Sequence, residues 1–252
     1  MTKKIFALDF DGVICDSASE LAASGWKAAA EIWDDINGDI SKEISHEFSQ
    51  ARPVIETGYQ AILLVRMLLD GVQLGSILSS FSEISDEYEV NNQLKKSDLI
   101  ACFGRVRDKW IKSDFASWLD VHDFYPGTVD AINQHADNCY IITTKQKRFA
   151  EALVKHAGMQ IPNERIHGLE SGKKYQVLND IKYGENETIE INFIEDRLKT
   201  LMTVNQLSDK IDLFFASWGY NTSAEKDMAI TRAEIHCLTL ENFPQFFMAK
   251  YP

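Results

Sequence analysis

Residues 3–17 read KKIFALDFDGVICDS, and this stretch carries the strongest information about the fold. Its apolar run, Ile5–Leu8, is too short for a stable helix and is rich in strand-forming residues, which is typical of a buried strand in a parallel sheet. Asp9 and Asp11 follow in a turn opened by Gly12. Because open α/β sheets bind ligands at the carboxyl ends of their strands, both carboxylates are predicted to line a site.

The spacing of Asp9 and Asp11 allows them different chemical roles. One residue separates them, so on an extended backbone their side chains point in different directions. One carboxylate can attack a substrate or bind a metal ion while the other transfers a proton. Isolated Asp-x-Asp pairs are common on loops, and it is the preceding apolar strand that favours a catalytic interpretation.

Composition limits the classes of function. The chain has 252 residues, of which 45% are hydrophobic and 25% charged, enough for one or two buried cores. The formal net charge of −12 argues against nucleic-acid binding, which would need a basic face. An enzyme of such charge that acts on phosphates would need local positive charge, from a metal ion or a well-placed lysine.

Cysteine spacing and hydropathy indicate a reduced, non-membrane environment. The cysteines are widely spaced and form no CxxC motif: Cys15, Cys102, Cys139 and Cys237. Free thiols are therefore expected rather than a disulfide framework or structural zinc. The most apolar stretch, Ala61–Leu69, contains Arg66 and is too short to span a bilayer. Asp9 and Asp11 interrupt the segment that a signal peptide would need, so a cytoplasmic location is expected.

The segment 17–119 is predicted to be helical throughout. It begins with Ser17-Ala-Ser-Glu20, which matches the S-x-x-E capping box at the start of a helix. Ala61–Leu69 has a strongly helical composition, and Leu99–Trp118 continues in the same style. The pattern predicts an all-helical domain placed directly after the first strand, where it would work as a lid.

Beyond the sequence FYPG at 124–127, strand-like runs alternate with amphipathic helices. The predicted strands are Tyr140–Ile142, Arg165–Leu169, Ile191–Ile194, Ile211–Ala216 and Ile235–Leu240. This alternation is typical of βαβ units and a parallel sheet. Residues 1–16 and 120–252 are therefore predicted to form one α/β core domain, interrupted by the helical domain 17–119.

Four groups of polar residues follow predicted strands or open the neighbouring helices. They are Asp9-Phe-Asp11-Gly-Val13, Thr143-Thr144-Lys145, Gly172-Lys173-Lys174 and Glu195-Asp196. Since the carboxyl ends of parallel strands share one edge of the sheet, all four groups are expected to gather there.

In this order, the groups resemble the haloacid dehalogenase superfamily of hydrolases. The family pattern is a strand ending in Asp-x-Asp, a strand ending in Ser or Thr, a lysine near a helix start, and a strand ending in acids. The segments LDFDGV, IITT, GKK and FIED match it, and FYPG resembles the turn that re-enters the core after a helical cap. The resemblance spans nearly the whole chain and implies a Rossmann-like parallel-sheet core with an inserted all-helical cap.

The resemblance also implies roles for the first two groups. Asp9 would be the nucleophile that forms an aspartyl-phosphate, and it would bind Mg²⁺. Asp11 would protonate the leaving alkoxide and then help to deprotonate the hydrolytic water, while its backbone carbonyl binds the metal. Thr143 would hydrogen-bond a phosphoryl oxygen, with the Thr144 amide nearby.

For the remaining groups, the resemblance implies that Lys174 neutralises the charge shared by Asp9 and the phosphoryl group. Asp196 would complete the oxygen-rich Mg²⁺ site. Two positions leave alternatives open. Glu195 often corresponds to Gly in the family, and it would act as a second or water-mediated ligand or simply repel Asp196. Lys173 is adjacent to Lys174, although the spacing to the next apolar residues favours Lys174.

The resulting hypothesis is a Mg²⁺-dependent phosphatase acting on a small phosphorylated metabolite. A phosphomutase of the same superfamily is the first alternative, and a non-catalytic binding module on this scaffold is the second. A dehalogenase is disfavoured because that chemistry has no use for Asp11 or a metal ion. The loop Trp218–Thr222 is compatible with the rim of the site and equally with simple packing. The pattern specifies neither the substrate nor the oligomeric state.

Overall fold

The structure is a computed structural model that describes residues 2–184 and 188–248. The chain divides into two compact units. One unit, here called the sheet unit, contains the described residues up to Asp16 and from Asp123 onward. The other, here called the helical unit, is Ser17–His122.

The sheet unit contains all the strands of the described chain. They are β1 (Lys3–Leu8), β2 (Cys15–Asp16), β3 (Asp123–Phe124), β4 (Cys139–Ile142), β5 (Ile166–His167), β6 (Ile189–Glu195), β7 (Ile211–Ala216) and β8 (Ile235–Leu238). Six of them pair in the order β5-β4-β1-β6-β7-β8, and every pairing is parallel. β2 and β3 form a separate antiparallel pair. The predicted parallel sheet is confirmed.

Helices connect the strands and cover both faces of the sheet. They are α7 (Thr128–Asn133), α8 (Lys147–His156), α9 (Lys174–Gly184), α10 (Leu198–Leu207), α11 (Ser223–Ile230) and α12 (Phe243–Phe246). Ile5 shares one core with Leu178 of α9 and Leu201 of α10. Phe6 packs on the opposite face, edge-on to Phe246 of α12 at 5.3 Å between ring centroids. Because both faces are covered, β1 is apolar without alternation.

The order of the strands reverses beside β1. β4 and β5 extend from one side of β1, and β6, β7 and β8 extend from the other. In the register of the sheet, Leu8 lies opposite Ile194 of β6 and Ile141 of β4. The carboxyl end of β1 is therefore at a topological switch point, where open α/β sheets leave a crevice for a ligand.

Two predicted strands are shorter in the structure than in the sequence analysis. The one predicted at Arg165–Leu169 contains only β5, because Leu169–Ser171 forms a short 3₁₀ turn. The one predicted at Ile235–Leu240 ends at Leu238, and a second 3₁₀ turn begins at Leu240. By contrast, β6 is longer than predicted and includes Glu195 as its last residue.

The helical unit consists of α1 (Ala18–Ala29), α2 (Lys42–Ala51), α3 (Gln60–Leu69), α4 (Leu74–Asn91), α5 (Lys96–Ser113) and α6 (Phe115–Asp120). Its core includes Phe48, Ile62 and Leu64, which are fully buried. The stretch Leu99–Trp118 is two helices, because Asp114 leaves the helical conformation and its side chain caps α6. None of the described helices is long and apolar enough to cross a membrane.

The predicted capping box at Ser17 is wrong, although a helix does begin there. The Ser17 side chain accepts no capping hydrogen bond. Glu20 is fully buried, and its carboxylate accepts hydrogen bonds from Arg107 Nε at 2.9 Å and Nη2 at 2.7 Å. It also accepts one from Ser24 Oγ at 2.6 Å. Glu20 therefore links α1 to α5 instead of capping its own helix.

Candidate active site

Asp9 lies directly beyond β1, at the switch point of the sheet. Its backbone N–H donates to the carbonyl of Ile194 at 2.9 Å, which extends the pairing with β6 by one residue. The side chain is buried, with 6% of the residue exposed. Burial and the charge of Glu195 raise the pKa of Asp9 to about 7, although Lys174 opposes this shift. Lys174 favours the ionised form of Asp9 but does not bring its pKa back to the ordinary value.

Lys174, the first residue of α9, is the positive partner of Asp9. Its Nζ lies 2.8 Å from Oδ1 of Asp9 and 2.7 Å from Oε2 of Glu195. Burial lowers the pKa of Lys174, but the two carboxylates outweigh burial and hold this pKa above its usual value, so the ammonium stays charged. Lys173 is exposed instead. The structure therefore brings Lys174, and not Lys173, to the acids.

Glu195 is the last residue of β6 and Asp196 follows it, and both are almost fully buried. Glu195 accepts hydrogen bonds at both oxygens, from the Arg197 N–H at 3.0 Å and from Lys174 at 2.7 Å. Burial raises the pKa of Glu195. Burial and the charge of Asp9 raise the pKa of Asp196 to about 6. Glu195 thus holds Lys174 in place and does more than repel Asp196.

The three buried carboxylates form one cluster suited to a divalent cation. One oxygen from each of Asp9, Glu195 and Asp196 lies within 4.8 Å of the other two. When ionised, the cluster carries three negative charges against the single positive charge of Lys174. Hard oxygen donors with excess negative charge are the ligands that Mg²⁺ takes in proteins. The raised pKa values of Asp9 and Asp196 share their causes, which are burial first and then the charge of a neighbouring carboxylate.

Asp11 lies outside this cluster and faces a different lysine. Its Oδ1 is 3.3 Å from Nζ of Lys145, whose side chain is only 4% exposed. Lys145 belongs to the second of the four polar groups, but the sequence predicted no role for it. The available signal was its position directly after two strand-end threonines, in a chain where a phosphate site requires local positive charge.

The two threonines differ in their surroundings. Thr143 is buried beyond β4, and its N–H donates to the carbonyl of His167 at 2.9 Å. Its Oγ1 accepts a hydrogen bond from the N–H of Lys145 at 3.1 Å. Thr144 is exposed. Both follow the strand next to β1, so they lie at the same edge of the sheet as Asp9.

The loop Trp218–Thr222 supports Asp196, a role that sequence reasoning left open. The backbone N–H of Tyr220 donates to Oδ2 of Asp196 at 2.5 Å, and Nδ2 of Asn221 donates to the Asp196 carbonyl at 3.2 Å. The phenol of Tyr220 also donates to Oδ1 of Asp16 at 2.7 Å. Trp218 Nε1 donates to the carbonyl of Val13 at 3.2 Å. The loop therefore fastens the end of β6 to the segment after Asp11.

Two glycines permit this close packing around Asp196. Gly12 has a φ of 86°, and a Cβ there would overlap the Asp196 carboxylate. A Cβ at Gly219 would overlap both the carbonyl oxygen of Gly12 and the side chain of Asp196. Any larger residue at either position would have to displace the Asp196 carboxylate or the backbone beside it.

Comparison with known proteins identifies the fold. No protein-family model matches the chain, and no curated protein matches it significantly. Solved structures do match. A predicted phosphatase from Clostridium acetobutylicum has a TM-score of 0.61 at 12% identity, and the match covers 98% of this chain and 99% of that one.

Two further structures show the same similarity. A haloacid dehalogenase-like hydrolase from Streptococcus pneumoniae has a TM-score of 0.59 at 13% identity, covering 98% of both chains. A predicted phosphoglycolate phosphatase from Haemophilus somnus has a TM-score of 0.61 at 12% identity, covering 98% of this chain and 99% of that one. The chain therefore has the fold of haloacid dehalogenase-like hydrolases.

Proposed function

We propose that this protein is a Mg²⁺-dependent phosphatase that hydrolyses a small phosphorylated metabolite through an aspartyl-phosphate on Asp9. The observation that carries the proposal is the buried group of Asp9, Lys174, Glu195 and Asp196 at the switch point of the sheet. Burying three carboxylates within 4.8 Å of one another is costly, and a bound divalent cation would offset that cost. The descriptions of the structural neighbours as phosphatases support the same proposal.

In the first proposed step, an oxygen of Asp9 attacks the phosphorus atom while the bond to the leaving oxygen breaks. Asp11 gives a proton to the departing alkoxide. In the second step, Asp11 accepts a proton from water as the water oxygen attacks the phosphorus. The bond between phosphorus and Asp9 breaks, inorganic phosphate is released, and both aspartates return to their initial state.

The surrounding residues bind the phosphoryl group and hold its charge. Lys174, 2.8 Å from Asp9, would offset the negative charge shared by Asp9 and the phosphoryl oxygens. Thr143 and the Thr144 amide would donate hydrogen bonds to those oxygens. The carboxylates of Asp9 and Asp196, with the Asp11 carbonyl, would hold Mg²⁺. When bound, Mg²⁺ would act as a Lewis acid on the phosphoryl group.

The test is hydrolysis of 4-nitrophenyl phosphate by the whole protein, with Mg²⁺ and with chelator. We expect phosphate release that requires Mg²⁺ and falls by at least about 1,000-fold in Asp9→Asn, since amide oxygen is a poor nucleophile. When the reaction is quenched with acid, a label on the phosphoryl group of the substrate should remain bound to the wild-type protein. It should not remain bound to Asp9→Asn. Persistent turnover by Asp9→Asn would overturn the nucleophile assignment.

A panel of phosphorylated metabolites then separates the alternatives. Phosphoglycolate belongs in it because one structural neighbour carries that name. Release of inorganic phosphate supports the phosphatase, whereas transfer of the phosphoryl group between positions of a sugar phosphate would identify a phosphomutase. Binding of a phosphorylated ligand without either reaction would identify a non-catalytic module.

A further inference from the structure

A second buried lysine remains outside the chemistry proposed above. Lys145 has only 4% of its side chain exposed, and its Nζ lies 3.3 Å from Oδ1 of Asp11. A buried ammonium without a partner is very costly, so a lysine is retained in such a place only where a negative group faces it. The group that faces Lys145 is the proposed general acid and base.

The backbone holds Lys145 rigidly toward Asp11. Its N–H donates to Thr143 Oγ1 at 3.1 Å, and its carbonyl accepts from the Leu169 N–H at 2.9 Å. Gly168 packs so closely that a Cβ there would overlap the backbone of Lys147. Both backbone polar groups of Lys145 are therefore hydrogen-bonded, and this fixes the position from which its side chain extends.

The two lysines serve different acids of the same motif. Lys174 contacts Asp9 at 2.8 Å and Glu195 at 2.7 Å, whereas Lys145 pairs with Asp11. Asp11 is more exposed than its partner, with 19% of its side chain accessible against 4% for Lys145. A substrate approaching the pair from solvent would meet the carboxylate, with the ammonium behind it.

We propose that Lys145 is a positioning residue for Asp11. This inference rests on the phosphatase function proposed above. The ammonium holds the Asp11 carboxylate by Oδ1 in the orientation needed to give a proton to the leaving oxygen and to take one from water. Lys145 acts through Asp11 and does not bind the transferred phosphoryl group.

The role of Lys145 makes the effect of its loss depend on the leaving group. Phenol is the poorer leaving group and needs protonation as its bond to phosphorus breaks, whereas 4-nitrophenol is more acidic and departs as the anion. A misplaced Asp11 therefore impairs the first step with phenyl phosphate more than with 4-nitrophenyl phosphate.

The experiment measures single-turnover release of both phenols by the wild type, Lys145→Met and Lys145→Arg. Methionine keeps the packing volume and removes the charge. For Lys145→Met we expect the rate of phenol release to fall by about 10- to 100-fold. This is a part of the rate enhancement that a positioned general acid and base supplies. Release of 4-nitrophenol should fall far less. Inhibition by inorganic phosphate should stay unchanged, and Lys145→Arg should recover most of the rate.

Two controls isolate the coupling to Asp11. Lys155→Met makes the same change of charge on the exposed end of α8, and it should leave both rates unchanged. In an Asp11→Asn background, Lys145→Met should cause no further loss. Thermal unfolding shows whether a variant has lost its structure. If Lys145→Met does not fold, the release rates of Lys145→Arg are compared with those of the wild type instead.

Three results would overturn the proposal. In the first, Lys145→Met lowers the release rates of both phenols equally and also weakens inhibition by phosphate. In the second, the losses of rate caused by Lys145→Met and Asp11→Asn are fully additive, and in the third, a folded Lys145→Met releases both phenols at the wild-type rates. Failure of the proposed function has a different signature, because the wild type itself would then release no phenol in a manner that depends on Asp9.

Discussion

At the scale of single residues, the two members of the Asp9–Asp11 motif are distinguished by their partners. As the proposed nucleophile, Asp9 would have to be ionised, yet burial and Glu195 raise its pKa to about 7. Lys174 at 2.8 Å favours the ionised form, and a cation held by the cluster would favour it further. Asp11 faces Lys145 instead, at 3.3 Å. Different surroundings thus divide the roles of two identical side chains.

Lys174→Met and Lys173→Met form a matched pair of variants that differ by one position. Removing the Lys174 charge leaves Asp9 and Glu195 buried without their common partner. We expect turnover of 4-nitrophenyl phosphate to fall by about 100-fold or more, as for loss of a preorganised charge. Lys173→Met should stay within about twofold, because Lys173 is exposed. Circular dichroism checks that both variants fold. Equal losses of turnover in the two variants would contradict the assignment of Lys174, rather than Lys173, as the lysine that offsets the charge at Asp9.

At the scale of elements, the loop between β7 and α11 fixes the end of β6. Tyr220 and Asn221 bind the side chain and the carbonyl of Asp196, and Gly219 lets the loop approach. The proposed metal site would therefore be built from strand ends together with a loop that supplies no carboxylate. Supporting contacts of this kind set the geometry of metal ligands.

Gly219→Ala should weaken Mg²⁺ binding through this loop. The added methyl group would overlap the Asp196 side chain and the Gly12 carbonyl, so the carboxylate must shift. We expect the Mg²⁺ affinity, measured by calorimetric titration, to fall by about 10- to 100-fold. Gly104→Ala in α5, where nothing lies within 4 Å of the new Cβ, is the control. An unchanged affinity in Gly219→Ala would show that the loop does not position Asp196.

Within the helical unit, the buried pair of Glu20 and Arg107 joins α1 to α5. Arg107→Met leaves a buried carboxylate without its charge partner and should destabilise the fold by about 3–5 kcal/mol. Arg105→Met breaks the exposed pair with Glu31 and should cost at most about 1 kcal/mol. Urea unfolding measures the free energy of unfolding of both variants. Similar losses in the two would mean that burial does not decide how much these ion pairs stabilise the fold.

At the scale of the whole molecule, an acidic chain places two lysine side chains at the edge of the sheet where the candidate site lies. The formal net charge is −12, yet Lys145 and Lys174 are both buried beside the Asp9–Asp11 motif. Local charge of this kind would favour an anionic substrate despite the repulsive long-range field.

The stabilisation by Mg²⁺ should depend on pH. Without metal, Asp9 and Asp196 have pKa values of about 7 and about 6 in the folded state. Both values lie above the ordinary value, so the stability that these groups contribute is complete below about pH 4 and is lost as the pH rises toward 7. Mg²⁺ bound by these carboxylates would displace their protons, so its binding should strengthen as the pH rises.

We therefore expect Mg²⁺ to raise the unfolding temperature more at about pH 8 than at about pH 5.5. Differential scanning calorimetry with and without Mg²⁺ measures this difference. Asp196→Asn should shrink the Mg²⁺ effect at the higher pH. An effect of equal size at both pH values would show that cation binding does not draw on these carboxylates.

Local sequence patterns predicted the strands because the necessary information lies within a few residues. Apolar runs indicated β1, β4, β6 and β7, and the polar residues after them indicated the edge of the sheet where the candidate site lies. The S-x-x-E pattern at Ser17 failed for the opposite reason. Burial of Glu20 against Arg107, far away in sequence, outweighed the local capping tendency.

The amino-acid sequence by itself determined that Asp9, Thr143, Lys174 and Asp196 would follow strands or open a helix, because strand periodicity is local. Only the tertiary structure decided that β1 lies between β4 and β6, so that Asp9 meets Glu195. It also decided which lysine faces which acid. Strand order and buried charge pairs depend on contacts between distant residues, and such contacts leave no periodic trace in the chain.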